Sequence, residues 1–213
     1  KAVVYLDPTR GNNNNTGESD TAAVQTLSKA LGLVAQNGVI YLLNPVTVDS
    51  QMTLSNVTFR PGKSNMLGML YISGDVTLNN IKIYNETPDG RSCQFSNDPI
   101  RVTGTLTIGK GTRIESFLGK SCIYVSQGTL NLNGGKIQGD TQNTVKHGGG
   151  IYAKNATVNV YEGIISGHSA TYGGGIYADN SSININGGQI IDSQATKGGG
   201  IYANGGNVYI NGG

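Results

Sequence analysis

The hexapeptide Gly-Gly-Gly-Ile-Tyr-Ala occurs three times, beginning at Gly148, Gly173 and Gly198, so its copies lie 25 residues apart. A repeat of this length, rich in Gly and Asn and carrying short β-branched runs, is the mark of a solenoid whose turns stack on one another. Other positions keep the same step. Val158-Asn159-Val160, Ile183-Asn184-Ile185 and Val208-Tyr209-Ile210 are successive copies, with Leu130-Asn131-Leu132 placed 28 before the first. The three extra residues fit in the polar stretch Thr141 to His147. A third apolar position recurs as Ile137, Ile165 and Ile190. Each turn thus offers three strand-like segments divided by Gly, Asn and Ser turn signals, with no helical spacing.

Upstream the pattern survives in looser form at Leu70-Tyr71-Ile72, Val76-Thr77-Leu78, Ile81-Lys82-Ile83, Ile100-Arg101-Val102, Leu106-Thr107-Ile108 and Ile114. The expected fold is all-β, a right-handed parallel β-helix with three short strands per turn, beginning near Val39 and running over residues 39–213. At about 4.8 Å per rung, roughly seven turns make a rod on the order of 35 Å long. Period-two alternation sends Ile123, Ile151, Ile176 and Ile201 inward with Ile137, Ile165 and Ile190, which leaves a dry interior. Residues 1–38 are expected to form a cap: a strand at Val3-Val4-Tyr5-Leu6, a polar loop from Asn12 to Ser19, and a helix. Asp20 serves as N-cap, Val24, Leu27, Leu31 and Val34 form the apolar stripe, and Asn37-Gly38 is the stop. Such a helix would cover the open edge of the first coil. No comparable cap is legible before Gly213, so either further turns follow in a parent protein or the open end is tolerated.

Charged residues make up 13% of the chain and the net charge is +2, too little for a nucleic-acid partner held by a basic face. No run of 18 apolar residues is present to span a membrane. Cys93 and Cys122 are 29 residues apart, about one coil, which places them on adjacent turns as a disulfide candidate. The alternative is a pair of buried free thiols.

The string from Gly148 through Val158-Asn159-Val160 to Gly163-Ile-Ile-Ser-Gly-His-Ser-Ala170-Thr-Tyr-Gly-Gly-Gly resembles the repeats of right-handed β-helix surface and adhesin-like proteins of bacteria. It is also similar in pattern to the Gly-Gly-x-Ile repeats of chlamydial polymorphic membrane proteins. The likeness runs from about Gly119 to Gly213, and Asp20 to Asn44 resembles the helix that precedes many pectate-lyase-like coils. The resemblance implies a secreted or cell-surface location and a role in attachment, and supplies no ligand.

The ladders on the outer surface are the physical handle on binding. Tyr124, Tyr152, Tyr177 and Tyr202 follow the inward Ile, and Tyr71 and Arg101 hold the same place in earlier coils, so an outward stripe is expected. Aromatic rings carrying phenol hydroxyls suit sugar rings or peptide side chains. Equally, in-register aromatics stabilise neighbouring strands by roughly 0.2–1 kcal/mol per pair. The column of Asn131, Asn159 and Asn184 reads as a hydrogen-bond ladder, and Lys154 with Asp179 as a weak exposed ion pair.

A second candidate is the excursion from Tyr84 to Pro99, which carries Glu86, Asp89, Arg91 and Asp98. Long excursions on a rigid frame often carry function, and otherwise are solvated loops. Glycan-cleaving enzymes on coils of this kind work from paired carboxylates on the outer face. The repeats stack none: Asp140 falls over His168 and Ser193, and Glu162 over Gly187. Arg60-Pro-Gly-Lys-Ser64 lacks the Gly of a phosphate-binding loop at Val57. His147-Gly-Gly-Gly150 is accounted for by the repeat, since the same glycines recur without His. His147 and His168 are poor metal ligands, being separated by no whole number of turns. No residue is assigned to catalysis, a cofactor or a metal. The expected role is a non-catalytic module presenting a surface to a glycan or to a host or partner surface protein, or acting as a stalk. The alternative is a glycan-cleaving or glycan-binding β-helix protein.

Overall fold

The computed structural model describes residues 1–115, 117–139 and 141–213. The chain winds as a parallel β-solenoid of about seven turns, with strands about 25 residues apart. All the rungs are parallel, and they stack into three long faces. The first face runs through Val46–Val48, Leu70–Ile72, Ile100–Val102, Ile123–Ser126 and Ile151–Lys154, then through the opening halves of Ile176–Ile185 and Ile201–Ile210. The second joins Met52–Ser55, Asp75–Asn79 and Thr105–Ile108 to the opening parts of Thr129–Gln138 and Thr157–Ser166 and then to the closing halves of the two last long strands. The third begins at Val3–Leu6 and passes through Val39–Leu42, Thr58–Pro61, Lys82–Tyr84 and Arg113–Glu115 to Gln189–Ile191.

These are the three segments expected from the sequence. The structure adds a fourth, short column of Val145–His147, Ser169–Tyr172 and Gln194–Lys197, each lying directly before a Gly-Gly-Gly run. Its signal is faint because each strand offers one small inward position, with Val145 over Ala170 and Ala170 over Ala195.

Alternation decides what is buried. Ile123, Ile151 and Ile176 are fully buried, as are Leu130, Val158 and Ile183 on the second face and Ile114, Ile137 and Ile165 on the third. Each such side chain contributes about 1.5–3 kcal/mol by leaving water, and identical residues stack in line, so the core is continuous along the axis. The residues between them point out. There Asn159 donates from Nδ2 to Asn131 Oδ1 at 2.9 Å and Asn184 to Asn159 at 2.8 Å, the hydrogen-bond ladder anticipated for that column. Lys154 and Asp179 are register neighbours.

The glycine triplets are a steric requirement. Gly148, Gly173 and Gly198 have φ of +58°, +67° and +65°, a region L side chains avoid. A Cβ on Gly174 would come within 2.4 Å of the Gly199 carbonyl oxygen in the next coil.

The N-terminal segment differs from its expected form in two ways. First, Val3–Leu6 pairs with Val39–Leu42, so the third face gains a rung from within residues 1–38. Second, the helix is only Leu27–Leu33, and its N-cap is Thr26, whose hydroxyl accepts from the Lys29 N–H at 3.2 Å. Asp20 instead accepts from the neighbouring Thr21 N–H. Val24 is withdrawn from the helix because its backbone is committed sideways: its N–H donates to Tyr5 O at 3.0 Å and its carbonyl accepts from Asp7 at 2.9 Å. A residue bonded across to a strand cannot also join the helical ladder. The helix lays buried Ala30 and partly buried Leu27, Leu31 and Leu33 against the core.

Candidate functional site

Tyr124, Tyr152, Tyr177 and Tyr202 occupy the outward position between inward residues such as Ile176 and Ala178, and they stack in register along the first face. Ring centroids of successive pairs are 4.9, 5.2 and 5.7 Å apart. Arg101 continues the column below Tyr124, its guanidinium carbon 5.2 Å from that ring's centroid, and Tyr71 lies below Arg101. All six stripe residues therefore share one line. A groove of about 210 Å³, lined by Thr47, Tyr71, Ser73, Arg101 and Thr103 among others, opens at its lower end.

The fourth strand column supplies what sequence reasoning missed. The tight glycine corner folds His147, Tyr172 and Lys197 back against the tyrosines. The His147 ring lies 4.3 Å from Tyr177, 5.5 Å from Tyr152 and 5.8 Å from Tyr172, and Tyr172 lies 5.1 Å from Tyr202. The Lys197 ammonium sits 5.9 Å from the Tyr172 ring centre. Positions 147, 172 and 197 are themselves 25 apart, so the signal was present. It lacked meaning until the strand before each triplet was recognised.

The stripe is consequently two columns wide. Tyr177, at its middle, is only 7% exposed, whereas Tyr124, Tyr152 and Tyr202 are half-buried. Burial, reinforced by neighbouring tyrosines and Asp179, raises the Tyr152 and Tyr177 phenols above their usual range, so both remain neutral donors at physiological pH. Burial and the charge of Lys146 hold His147 below the usual imidazole range despite Asp179, which leaves it uncharged. The rings of the corner are thus uncharged, with Lys146 and Asp179 close beside them and a cation toward each end, Arg101 and Lys197.

The excursion residues are dispersed. Glu86 pairs with Arg60 at 3.4 Å, and Asp89 pairs with Arg91 at 3.6 Å and also accepts from the Thr87 hydroxyl. Asp98 accepts from the Ser121 N–H at 3.1 Å, with its carboxyl pushed up by burial. The turn is closed by Asn85, whose side chain both accepts from and donates to the Cys93 backbone. Its far limb, Gln94–Phe95, pairs with Asn65–Met66. Asp140 lies outside the described residues. Glu162 stands over Asn133, with its carboxylate 4.0 Å from Lys110. His168 lies inside the coil, its Nε2 3.0 Å from Ile137 O, and burial lowers its pKa to about 4. Among the described residues no group of three or more His, Cys, Asp or Glu is arranged to hold a metal ion. No described helix is long and apolar enough to cross a membrane.

Cys93 and Cys122 are buried free thiols rather than a disulfide. The 29-residue spacing misleads because this coil advances by 23, from Ile100 to Ile123, so Pro99 and not Cys93 underlies Cys122. Burial raises the thiols to about 11 and about 12, so neither supplies thiolate at neutral pH. The native protein is expected to resist a hydrophilic alkylating reagent, then to take two labels once denatured without reductant. A mass lower by two hydrogens in the unreduced chain would overturn this.

The chain matches no family model, no curated protein and no solved structure in comparisons with known proteins.

Proposed function

We propose that this solenoid is a non-catalytic attachment module that takes a surface ligand, a glycan or a partner protein, along its aromatic corner. The observation that carries the proposal is the two-column array in which Tyr124, Tyr152, Tyr177 and Tyr202 are flanked by His147 and Tyr172. Stacking of His147 on Tyr152 and Tyr177, and of Tyr177 on Tyr202, occupies ring faces within the array, so edges and hydroxyls are left to meet the ligand. Such surfaces combine apolar contact with hydrogen bonding at low cost in side-chain entropy. A rigid core beneath them holds the array ordered before the ligand arrives, which lowers the cost of binding. The likeness of the repeats to bacterial surface proteins supports an extracellular setting.

The test is a glycan array and a panel of surface proteins probed with wild type and with Tyr152→Ala/Tyr202→Ala. Both side chains are outward and half-buried, so the far-ultraviolet spectrum should be unchanged while binding falls by roughly thirtyfold or more. Normal binding by this variant, with loss in Arg91→Ala, would move the site to the Tyr84–Pro99 excursion. Silence of the wild type on every surface would make the solenoid a spacer.

A further inference from the structure

At the opposite end of the chain from the tyrosine corner, a recess of about 370 Å³ lies between the first rungs and the polar loop, lined among others by Asp7, Arg10, Asp20, Ala23, Leu43 and Lys63. Its most constrained member is Asp7, which is 5% exposed. Asp7 Oδ1 accepts three hydrogen bonds, from the Thr9 N–H at 3.0 Å, the Arg10 N–H at 3.1 Å and Asn44 Nδ2 at 2.8 Å. Oδ2 takes none from the described residues, and it is not among the sealed, unpartnered atoms, so it remains open to the recess. Burial raises the Asp7 pKa, but the bonds from Asn44, Arg10 and Thr9 and the charge of Lys63 outweigh it and hold the carboxyl below its usual range. Asp7 is therefore a carboxylate at neutral pH.

One oxygen of this carboxylate is thus fully engaged within the protein, and the other faces the recess, available to whatever enters it. The basic groups, both at exposed positions, are likewise free to meet a ligand. Neither Arg10 nor Lys63 has a carboxylate within ion-pair distance among the described residues. The recess thus holds two acids, Asp7 and Asp20, and two bases, Arg10 and Lys63, without joining them. A ligand of one sign satisfies half of this set and is repelled by the other half. A ligand carrying both signs on neighbouring atoms satisfies all of it. Ala23 and Leu43, each 3% exposed, add an apolar wall.

We propose that this recess binds a free α-amino acid with an aliphatic side chain. The ammonium donates to Asp7 Oδ2 and faces Asp20, the carboxylate meets Lys63 and Arg10, and the side chain lies on Ala23 and Leu43. The site is separate from the tyrosine corner and stands or falls independently of it.

Titration calorimetry with L-leucine, leucinamide and N-acetyl-leucine tests the proposal, since the amide keeps only the ammonium and the acetylated form only the carboxylate. L-Leucine is expected to bind, with both analogues at least about tenfold weaker. Asp7→Asn, which keeps the Oδ1 acceptor, and Lys63→Gln, at an exposed position, should each weaken L-leucine by about tenfold or more. Tyr152→Ala/Tyr202→Ala should leave it unchanged. Absence of heat with millimolar L-leucine, equal binding of leucinamide, or full binding by Lys63→Gln would each overturn the assignment.

Discussion

Replacing Ile176 with Asp is expected to abolish cooperative folding of the coils around it. Ile176 is fully buried and stacked between Ile151 and Ile201. The substitution removes about 1.5–3 kcal/mol of burial and places an unpaired carboxylate where no partner is available. Together these exceed about 4–5 kcal/mol, at the extreme of what single changes do. Ile176→Val, which removes one methyl group, should cost only about 0.5–1.5 kcal/mol. Urea unfolding of the pair separates the effects of charge and volume. An unchanged midpoint for Ile176→Asp would mean that the inward and outward positions are exchanged, since a slip of one residue turns every side chain of a strand to the other face.

Gly173→Ala should be nearly as damaging, although it adds only a methyl group. Gly173 has φ of +67°, and a Cβ there would lie 2.3 Å from the Ile176 carbonyl oxygen. That carbonyl belongs to a residue whose own N–H is bonded to Gly200 at 2.9 Å. The corner therefore cannot relax without loosening a rung. Backbone strain and overpacking together suggest a loss of about 2–5 kcal/mol. Gly32 in the short helix is the internal control. Nothing lies within 4 Å of the place an added methyl group would take there, and Gly32→Ala should be neutral or stabilise by up to about 1 kcal/mol. Thermal unfolding of both variants decides the matter: similar melting temperatures would show that the triplets are not sterically required.

The coil was legible in the sequence because stacking makes the same demand at the same place in every turn. Ile recurs where a rung faces the core, Gly where one coil's backbone meets the next, and Tyr where the rung turns outward. What could not be read depends on neighbours distant in sequence. Val24 fits a helical stripe with Leu27, Leu31 and Val34, yet its backbone is claimed by Tyr5 and Asp7, which no local pattern reveals. Cys93 and Cys122 are separated by about one coil, but Cys93 lies within the excursion that lengthens its own coil, and the following coil is short. His147 looked isolated because its ring partners come from later positions folded over the glycine corner. The stripe itself was visible in sequence. Its width, and the shielding of Tyr177 at its centre, were not.

The unequal coils bear on how such a chain can change over time. The first-face strands begin at 46, 70, 100, 123, 151, 176 and 201, steps of 24, 30, 23, 28, 25 and 25, yet Ile100 stands over Leu70 as squarely as Ile176 over Ile151. Added length is absorbed at the corners, as between Tyr84 and Gln94, and the pairing above and below is undisturbed. Insertions and deletions that would throw a conventional sheet out of alignment are local edits here. A lineage built on this frame can trial new surface loops one at a time while inheriting the rest of the molecule unaltered.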